Sequence, residues 1–113
     1  MSSFIDELHS LFSCLGQVKV RAMFGGYGIH HQGIMFALVA DNELYLKVDK
    51  ETQPRFTALG LEPFSYERGE KAFSMSYHRA PEAMFEDADL AQEWEQLAWQ
   101  AALRAKAKKL PKN

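Results

Sequence analysis

Side chains able to act as nucleophiles or metal ligands are few in this sequence and lie far apart along it. His30 and His31 are adjacent, and Cys14 is the single cysteine. Because neighbouring residues of a strand point to opposite faces, the two histidines are not expected to bind one metal ion together. A lone cysteine can neither close an internal disulfide nor build a thiolate-rich metal site. We therefore expect no metal, no cofactor and no catalytic residue, and we expect that the protein is not an enzyme.

A glycine-rich run, Phe-Gly-Gly-Tyr-Gly, ends at Gly28 and is the one candidate for a phosphate-binding loop. A dinucleotide-binding loop requires a helix directly after its glycines, and a P-loop requires Lys followed by Ser or Thr. Alternating apolar residues follow here instead, which predicts another strand. Gly25, Gly26 and Gly28 are therefore expected to let two strands turn or bulge.

Four polar or cationic side chains are placed where they could bind a small ligand. Arg21 and Lys47 are expected to project from the outer face of a predicted sheet, together with Tyr27 and Tyr45. Charged side chains on strands are more commonly solvated than bound to a ligand. An anion or small-ligand site on the outer face, with or without catalysis, is therefore the alternative hypothesis.

The elements that must position these residues follow from the apolar periodicity. Spacings of three and four from Phe4 to Leu15 predict a helix that Gly16 ends. Alternation then predicts three antiparallel strands, a short helix beginning near Pro54, a hairpin and a last helix that starts at Asp87 or Asp89. The sequence thus predicts an α+β fold of the order α-β(3)-α-β(2)-α, with an antiparallel sheet and helices packed against it.

Length and composition set the class of protein. A chain of 113 residues, 47% hydrophobic and 25% charged, is expected to form one globular domain spanning residues 1–113. The longest apolar run, Ile34 to Ala40, is too short to cross a membrane, and no secretory signal is expected. We therefore expect a cytoplasmic protein without a membrane partner.

Basic residues are concentrated at the C-terminus, from about residue 104 to 113. Arg104, Lys106, Lys108, Lys109 and Lys112 lie there, although the whole chain carries a net charge of −2. Lysines at the end of a helix complement its macrodipole, and a basic arm that touches phosphates is the alternative. Five cations on an acidic protein predict no specific DNA binding by this domain alone.

The last helix carries two apolar faces, whereas a helix lying on a sheet needs one. Leu90, Trp94, Leu97, Ala98, Ala101 and Ala105 form the expected core face. Trp99 and Leu103 fall on the other side. They either cover a neighbouring loop or form a contact face for a partner protein or a second subunit.

Several runs of the sequence together resemble a known family. The runs begin with Arg21-Ala-Met-Phe-Gly-Gly-Tyr-Gly-Ile29 and continue through Leu44-Tyr-Leu-Lys-Val-Asp49 to Met75-Ser-Tyr77. They resemble the N-terminal domain of the TfoX (Sxy) family of bacterial regulators of natural competence. The resemblance extends from about Phe4 to Lys106 and implies the same α-β(3)-α-β(2)-α fold.

The resemblance also carries expectations about function. The family motif residues in this chain are Arg21, Met23, Phe24, Gly25, Gly26, Tyr27, Gly28, Tyr45, Lys47 and Tyr77. Full-length members have a second, C-terminal domain and are regarded as acting with the cyclic-AMP receptor protein. The family implies no catalytic residues. It implies a non-enzymatic regulatory domain that acts through protein contacts in transcription regulation.

Overall fold

The structure of the chain is a computed structural model that describes residues 3–13, 15–23, 26–68 and 71–109. For residues 3–5, 23, 66–68, 71–75 and 109 it describes the backbone alone. The elements, in chain order, are α1 (Ser3–Leu11), β1 (Lys19–Met23), β2 (Gly26–His31), β3 (Ile34–Ala40), β4 (Glu43–Lys47), α2 (Gln53–Ala58), β5 (Pro63–Arg68), β6 (Lys71–Arg79), a 3₁₀ turn (Glu82–Phe85) and α3 (Ala88–Lys109).

The strands form one antiparallel sheet of order β1-β2-β3-β4-β6-β5. The α+β class and the antiparallel sheet are therefore confirmed. The structure has one strand more than the predicted order counts, because β1 and β2 are two separate strands of a hairpin. Met23 pairs with Gly26 at the closed end of that hairpin. Phe24 and Gly25 lie outside the described residues, as does Cys14.

A β-bulge in β3 interrupts the alternation of side chains. Ile29 pairs with Ala37 and His30 pairs with Met35, so Phe36 is an additional residue on β3. Phe36 and Ala37 are both fully buried in the core on the helical side of the sheet. The bulge lets two successive residues face the helices.

The main core lies between one face of the sheet and the helices. It contains Leu8 of α1, Phe12 directly after α1, Phe56 of α2 and Trp94 of α3. The rings of Phe12 and Phe36 meet edge to face at 5.1 Å. α1 ends at Leu11, four residues before the predicted end, and the chain continues in turns to Gly16, which has φ +123°.

The buried face of α3 is built from small side chains. Ala98 and Ala101 are fully buried and Trp94 is nearly so, as expected. Leu90 and Leu97 are only partly buried at one flank. The most buried strip of α3 therefore lies closer to Ala91 and Ala102 than predicted. Because these side chains are small, the helix can lie close to β3 and β4. The start of α3 is as predicted, because Asp87 accepts hydrogen bonds from the backbone N–H groups of the first turn.

The opposite face of the sheet carries a second, smaller cluster. Leu38, Phe64 and Tyr77 are buried there, with Met35, Ala40 and Tyr45 packed against them. Every described member of this outer cluster comes from the sheet.

Candidate functional site

The glycine motif lies in the hairpin of β1 and β2. A Cβ atom on Gly26 would lie 2.0 Å from the carbonyl oxygen of Val39, so only glycine allows β2 to approach β3 this closely. The predicted role of Gly26 as a backbone residue is confirmed at this position. Tyr27 follows it and is 36% exposed.

The four residues of the predicted ligand site do not come together. Arg21 on β1 pairs with Gly28 on β2, Gly28 pairs with Leu38 on β3, and Leu38 pairs with Tyr45 on β4. Arg21 and Tyr45 are therefore three strand spacings, or about 14 Å, apart. Tyr27 alternates with Gly28 and therefore shares the helical side of the sheet with Ile29. The expectation that Tyr27 lies on the outer face is wrong.

Tyr45, Lys47 and Tyr77 do lie together, within the outer cluster. The rings of Tyr45 and Phe64 meet edge to face at 5.0 Å, and the Lys47 ammonium lies 5.1 Å from the centre of the Tyr77 ring. Burial raises the pKa of Tyr77 to about 12. Burial, followed by the charge of Glu43, also raises the pKa of Tyr45. Both phenols therefore remain neutral at physiological pH and pack as part of the sheet.

The two adjacent histidines face opposite sides of the sheet, as predicted. The His31 ring packs edge to face on Trp99 at 4.8 Å, and its Nδ1 lies 2.8 Å from the carbonyl oxygen of Gln17. His30 lies on the other side, where burial and the Arg21 guanidinium lower its pKa. Within the described part of the chain, no three His, Cys, Asp or Glu side chains are grouped to hold a metal ion.

Trp99 and Leu103 have different surroundings. The Trp99 ring meets Phe36 edge to face at 5.9 Å in addition to His31, so its own chain covers much of it. Of the two alternatives left open for Trp99, a contact within its own chain is observed, with residues of β2 and β3 rather than with a loop. Leu103 is 37% exposed on α3. The contact face that these residues were predicted to form stays a prediction.

Arg104 belongs to an intramolecular ion pair rather than to a free basic arm. Its Nε lies 2.5 Å from Oδ2 of Asp49, and a second guanidinium nitrogen lies 3.1 Å from Oδ1. The hydrogen bond from Arg104 lowers the pKa of Asp49 to about 2. Asp49 also accepts a hydrogen bond from the Thr52 backbone N–H. The basic segment is helical through Lys109, with Lys106 and Lys108 exposed.

Two features were missed at the level of the sequence. Glu95 is fully buried on α3, although its position between Trp94 and Ala98 could have placed it near the core. The second is a groove of about 780 Å³ between α1 and the segment that runs from the 3₁₀ turn into α3. The acids along this segment are visible in the sequence, but the packing of α1 beside it is a tertiary contact that periodicity does not reveal.

The groove combines an apolar floor with an acidic rim. Its apolar lining includes Leu11, Met84, Phe85, Ala88 and Ala91, and its acidic lining includes Asp6, Glu7, Glu86, Asp87 and Asp89. Its described lining contains no basic side chain. A surface of this kind is suited to a basic, partly apolar segment of a protein.

Comparison with known proteins gives the family. Residues 10–102 match the TfoX N-terminal domain. The chain belongs to this family.

Three curated relatives show what this TfoX N-terminal domain is similar to. It is 32% identical over 68% of its length to DNA transformation protein TfoX1 of Aliivibrio fischeri, of which it covers 37%. It is 36% identical over 67% of its length to DNA transformation protein TfoX of Haemophilus influenzae, covering 36% of that protein. Protein Sxy of Escherichia coli is 24% identical over 72% of this chain, which covers 39% of it. The chain thus spans little more than a third of the length of these relatives.

The matched span leaves two charged regions outside it. Asp6 and Glu7 of the groove precede residue 10, and Lys106 and Lys108 follow residue 102. The match therefore covers the sheet and most of the core, but not all of the charged surface. None of the described helices has the length and apolar character needed to span a membrane.

Proposed function

We propose that this chain is a non-enzymatic interaction domain that acts through protein contacts in the regulation of DNA transformation. The observation that carries the proposal is the family match over residues 10–102, together with the names of the relatives, two of which are DNA transformation proteins.

The surroundings of the polar side chains agree with a binding role. His31 is held by Gln17 and Trp99, Asp49 by Arg104, and His78 by Leu61 and Gln53. Each of these groups connects parts of the fold. Among the described residues, the acidic groove and the exposed side of α3 offer surface to a protein partner.

A genetic experiment tests the regulatory role. The gene is deleted in its native host, and transformation frequency and the transcripts of the DNA-uptake genes are measured under inducing conditions. We expect both to change, and expression of the wild-type chain from a plasmid should restore them. Unchanged transformation and unchanged transcripts in the deletion strain would contradict the proposal.

A complementation control separates loss of the fold from loss of a role. Lys19→Glu changes an exposed residue of β1 that does not line the groove and does not belong to α3. This variant should restore transformation as well as the wild-type chain does. Failure of Lys19→Glu at normal protein levels would place the functional surface elsewhere on the domain.

A further inference from the structure

The two ends of α3 carry charge of opposite sign. Asp89 stands in the first turn beside the acidic groove, and Lys106 and Lys108 stand in the last turns. Lys106 follows Asp89 by 17 residues along α3, which is a distance of about 25 Å at 1.5 Å per residue. The acidic end and the basic end of α3 therefore cannot meet within one chain.

The acidic groove remains available to a partner. Asp6, Glu7, Glu86 and Asp89 are exposed, and no ion pair joins any of them to another side chain of the described residues. Met84 lies almost fully buried under the groove, and Phe85 is 40% exposed at it. A fitting occupant therefore combines cationic groups with a small apolar surface.

The C-terminal half of α3 has these properties. Leu103, Lys106 and Ala107 have the spacing of three and four that places side chains on one side of a helix. All three are exposed. Lys106 and Lys108 flank Leu103 and Ala107 on their two sides, and we call these four exposed residues the basic face.

We propose that the acidic groove binds the basic face of a second copy of this chain. The two α3 helices run antiparallel around a two-fold axis, so each groove receives the basic face of the other copy. When Asp89 of one copy lies opposite Lys106 of the other, the two-fold axis passes between residues 97 and 98. Leu103 then lies opposite Gln92 of the other copy, and Gln92 lines the groove. The inference rests on the proposed function and deepens it, since it names a second copy as a protein partner.

The antiparallel arrangement follows from the position of both surfaces on one helix. A two-fold pair occupies both grooves and closes, whereas a head-to-tail chain leaves a groove free at one end and a basic face free at the other. The contact is mainly electrostatic, with Leu103 as its apolar element. The dimer should therefore be weak and should dissociate as salt screens the charges.

Sedimentation velocity over a range of protein concentrations tests the dimer. The wild-type chain should associate at about 0.05 M salt and become largely monomeric at about 0.5 M salt. Replacement of Glu7, Glu86 and Asp89 by lysine leaves two acids against three lysines in the groove lining, and this reversal should weaken dimerisation at least about tenfold. Reversal of the basic face with Lys106→Glu and Lys108→Glu should have the same effect.

The two reversed variants also provide a rescue. When they are mixed, each positive groove meets a negative α3 end and each negative groove meets a positive one, so the mixture should form dimers again. Lys19→Glu with Arg21→Glu makes the same charge change as Lys106→Glu with Lys108→Glu, at exposed positions of β1 outside both surfaces, and should leave dimerisation unchanged. Leu103→Asp should also give monomer. It is a cleaner probe than Trp99→Ala, because Trp99 supports the core through Phe36.

Three results would overturn the proposal. They are a wild-type chain that stays monomeric at about 0.05 M salt, reversed variants that fail to associate when mixed, and a Lys19/Arg21 control that dissociates as strongly as the reversed variants. Circular dichroism verifies that each variant is folded. A monomeric chain that still restores transformation would refute the dimer and leave the proposed function standing.

Discussion

At the scale of single residues, Asp49 connects two distant parts of the chain. It binds Arg104 of α3 and accepts hydrogen bonds from the turn that precedes α2. Asp49→Asn keeps an oxygen for the turn and removes the charge that pairs with Arg104. We expect a loss of about 1–3 kcal/mol in the free energy of unfolding at pH 7, measured by urea denaturation.

The same pair predicts how stability depends on pH. The pKa of Asp49 is lowered from 3.8 to about 2, so the carboxylate's contribution is complete above its unfolded pKa. The contribution is lost as the pH falls from about 4 toward 2, and the difference between wild type and Asp49→Asn should shrink over that range. Glu51→Gln is the matched control. Glu51 Oε2 is 3.2 Å from Arg104 Nε, but its side chain is 70% exposed, so its loss should cost no more than about 0.5 kcal/mol.

Gly26 is sensitive to a single added methyl group. Gly26→Ala would place Cβ against the Val39 carbonyl oxygen, and β2 and β3 would have to separate. We expect a loss of at least about 2 kcal/mol in the free energy of unfolding, seen as a lower midpoint in thermal denaturation. Gly33→Asn is the control, since Gly33 has φ +78°, a Cβ there would meet no atom within 4 Å, and asparagine tolerates that conformation. Equal midpoints for wild type and Gly26→Ala would contradict the steric argument.

At the scale of elements, His78 joins β6 to α2 and to the segment before β5. Its Nδ1–H donates to the Leu61 carbonyl oxygen at 2.8 Å, and its Nε2 accepts from the Gln53 amide at 3.3 Å. His78 is 3% exposed, so truncation leaves a cavity as well as an unpaired carbonyl group. His78→Ala should lower the free energy of unfolding by about 2–4 kcal/mol in urea denaturation.

The matched variant for His78 is Gln53→Ala, which removes only the exposed partner. We expect Gln53→Ala to cost about 0.5–1 kcal/mol. If the two variants were equally stable, His78 would contribute through Gln53 alone, and the contact with Leu61 would carry no measurable stability.

Sequence periodicity located most elements because one side of each element is buried. Periodicity failed where tertiary contacts determine which side chains are buried. The bulge at Phe36 turns two successive residues toward the core, which strict alternation does not allow. The contacts of Trp99 were not predicted, because its partners, Phe36 and His31, lie on strands far away in the chain. The acidic groove was missed for the same reason, since its two walls are α1 and the start of α3.

At the scale of the whole molecule, the charge distribution predicts weak contact with nucleic acid. Arg104 is engaged by Asp49, which leaves Lys106, Lys108, Lys109 and Lys112 to neutralise phosphates. In gel-shift titrations, the slope of log affinity against log salt should be no steeper than about −4. We expect no sequence-specific band at about 0.15 M salt. Sub-micromolar, sequence-specific binding by the isolated chain would overturn this prediction.

The two ends of α3 carry charge of opposite sign, although the net charge of the whole chain is only −2. Retention on an ion-exchange resin depends on the charge of the part of the protein surface that faces the resin, more than on the net charge of the whole protein. The dilute, monomeric domain should therefore be retained at low salt on cation exchangers through the lysine end and on anion exchangers through the groove end, whereas the antiparallel dimer covers both ends and should be retained more weakly on both. On a charged surface the monomer should adsorb through the end of α3 that carries the opposite charge, with the helix axis pointing away from the surface.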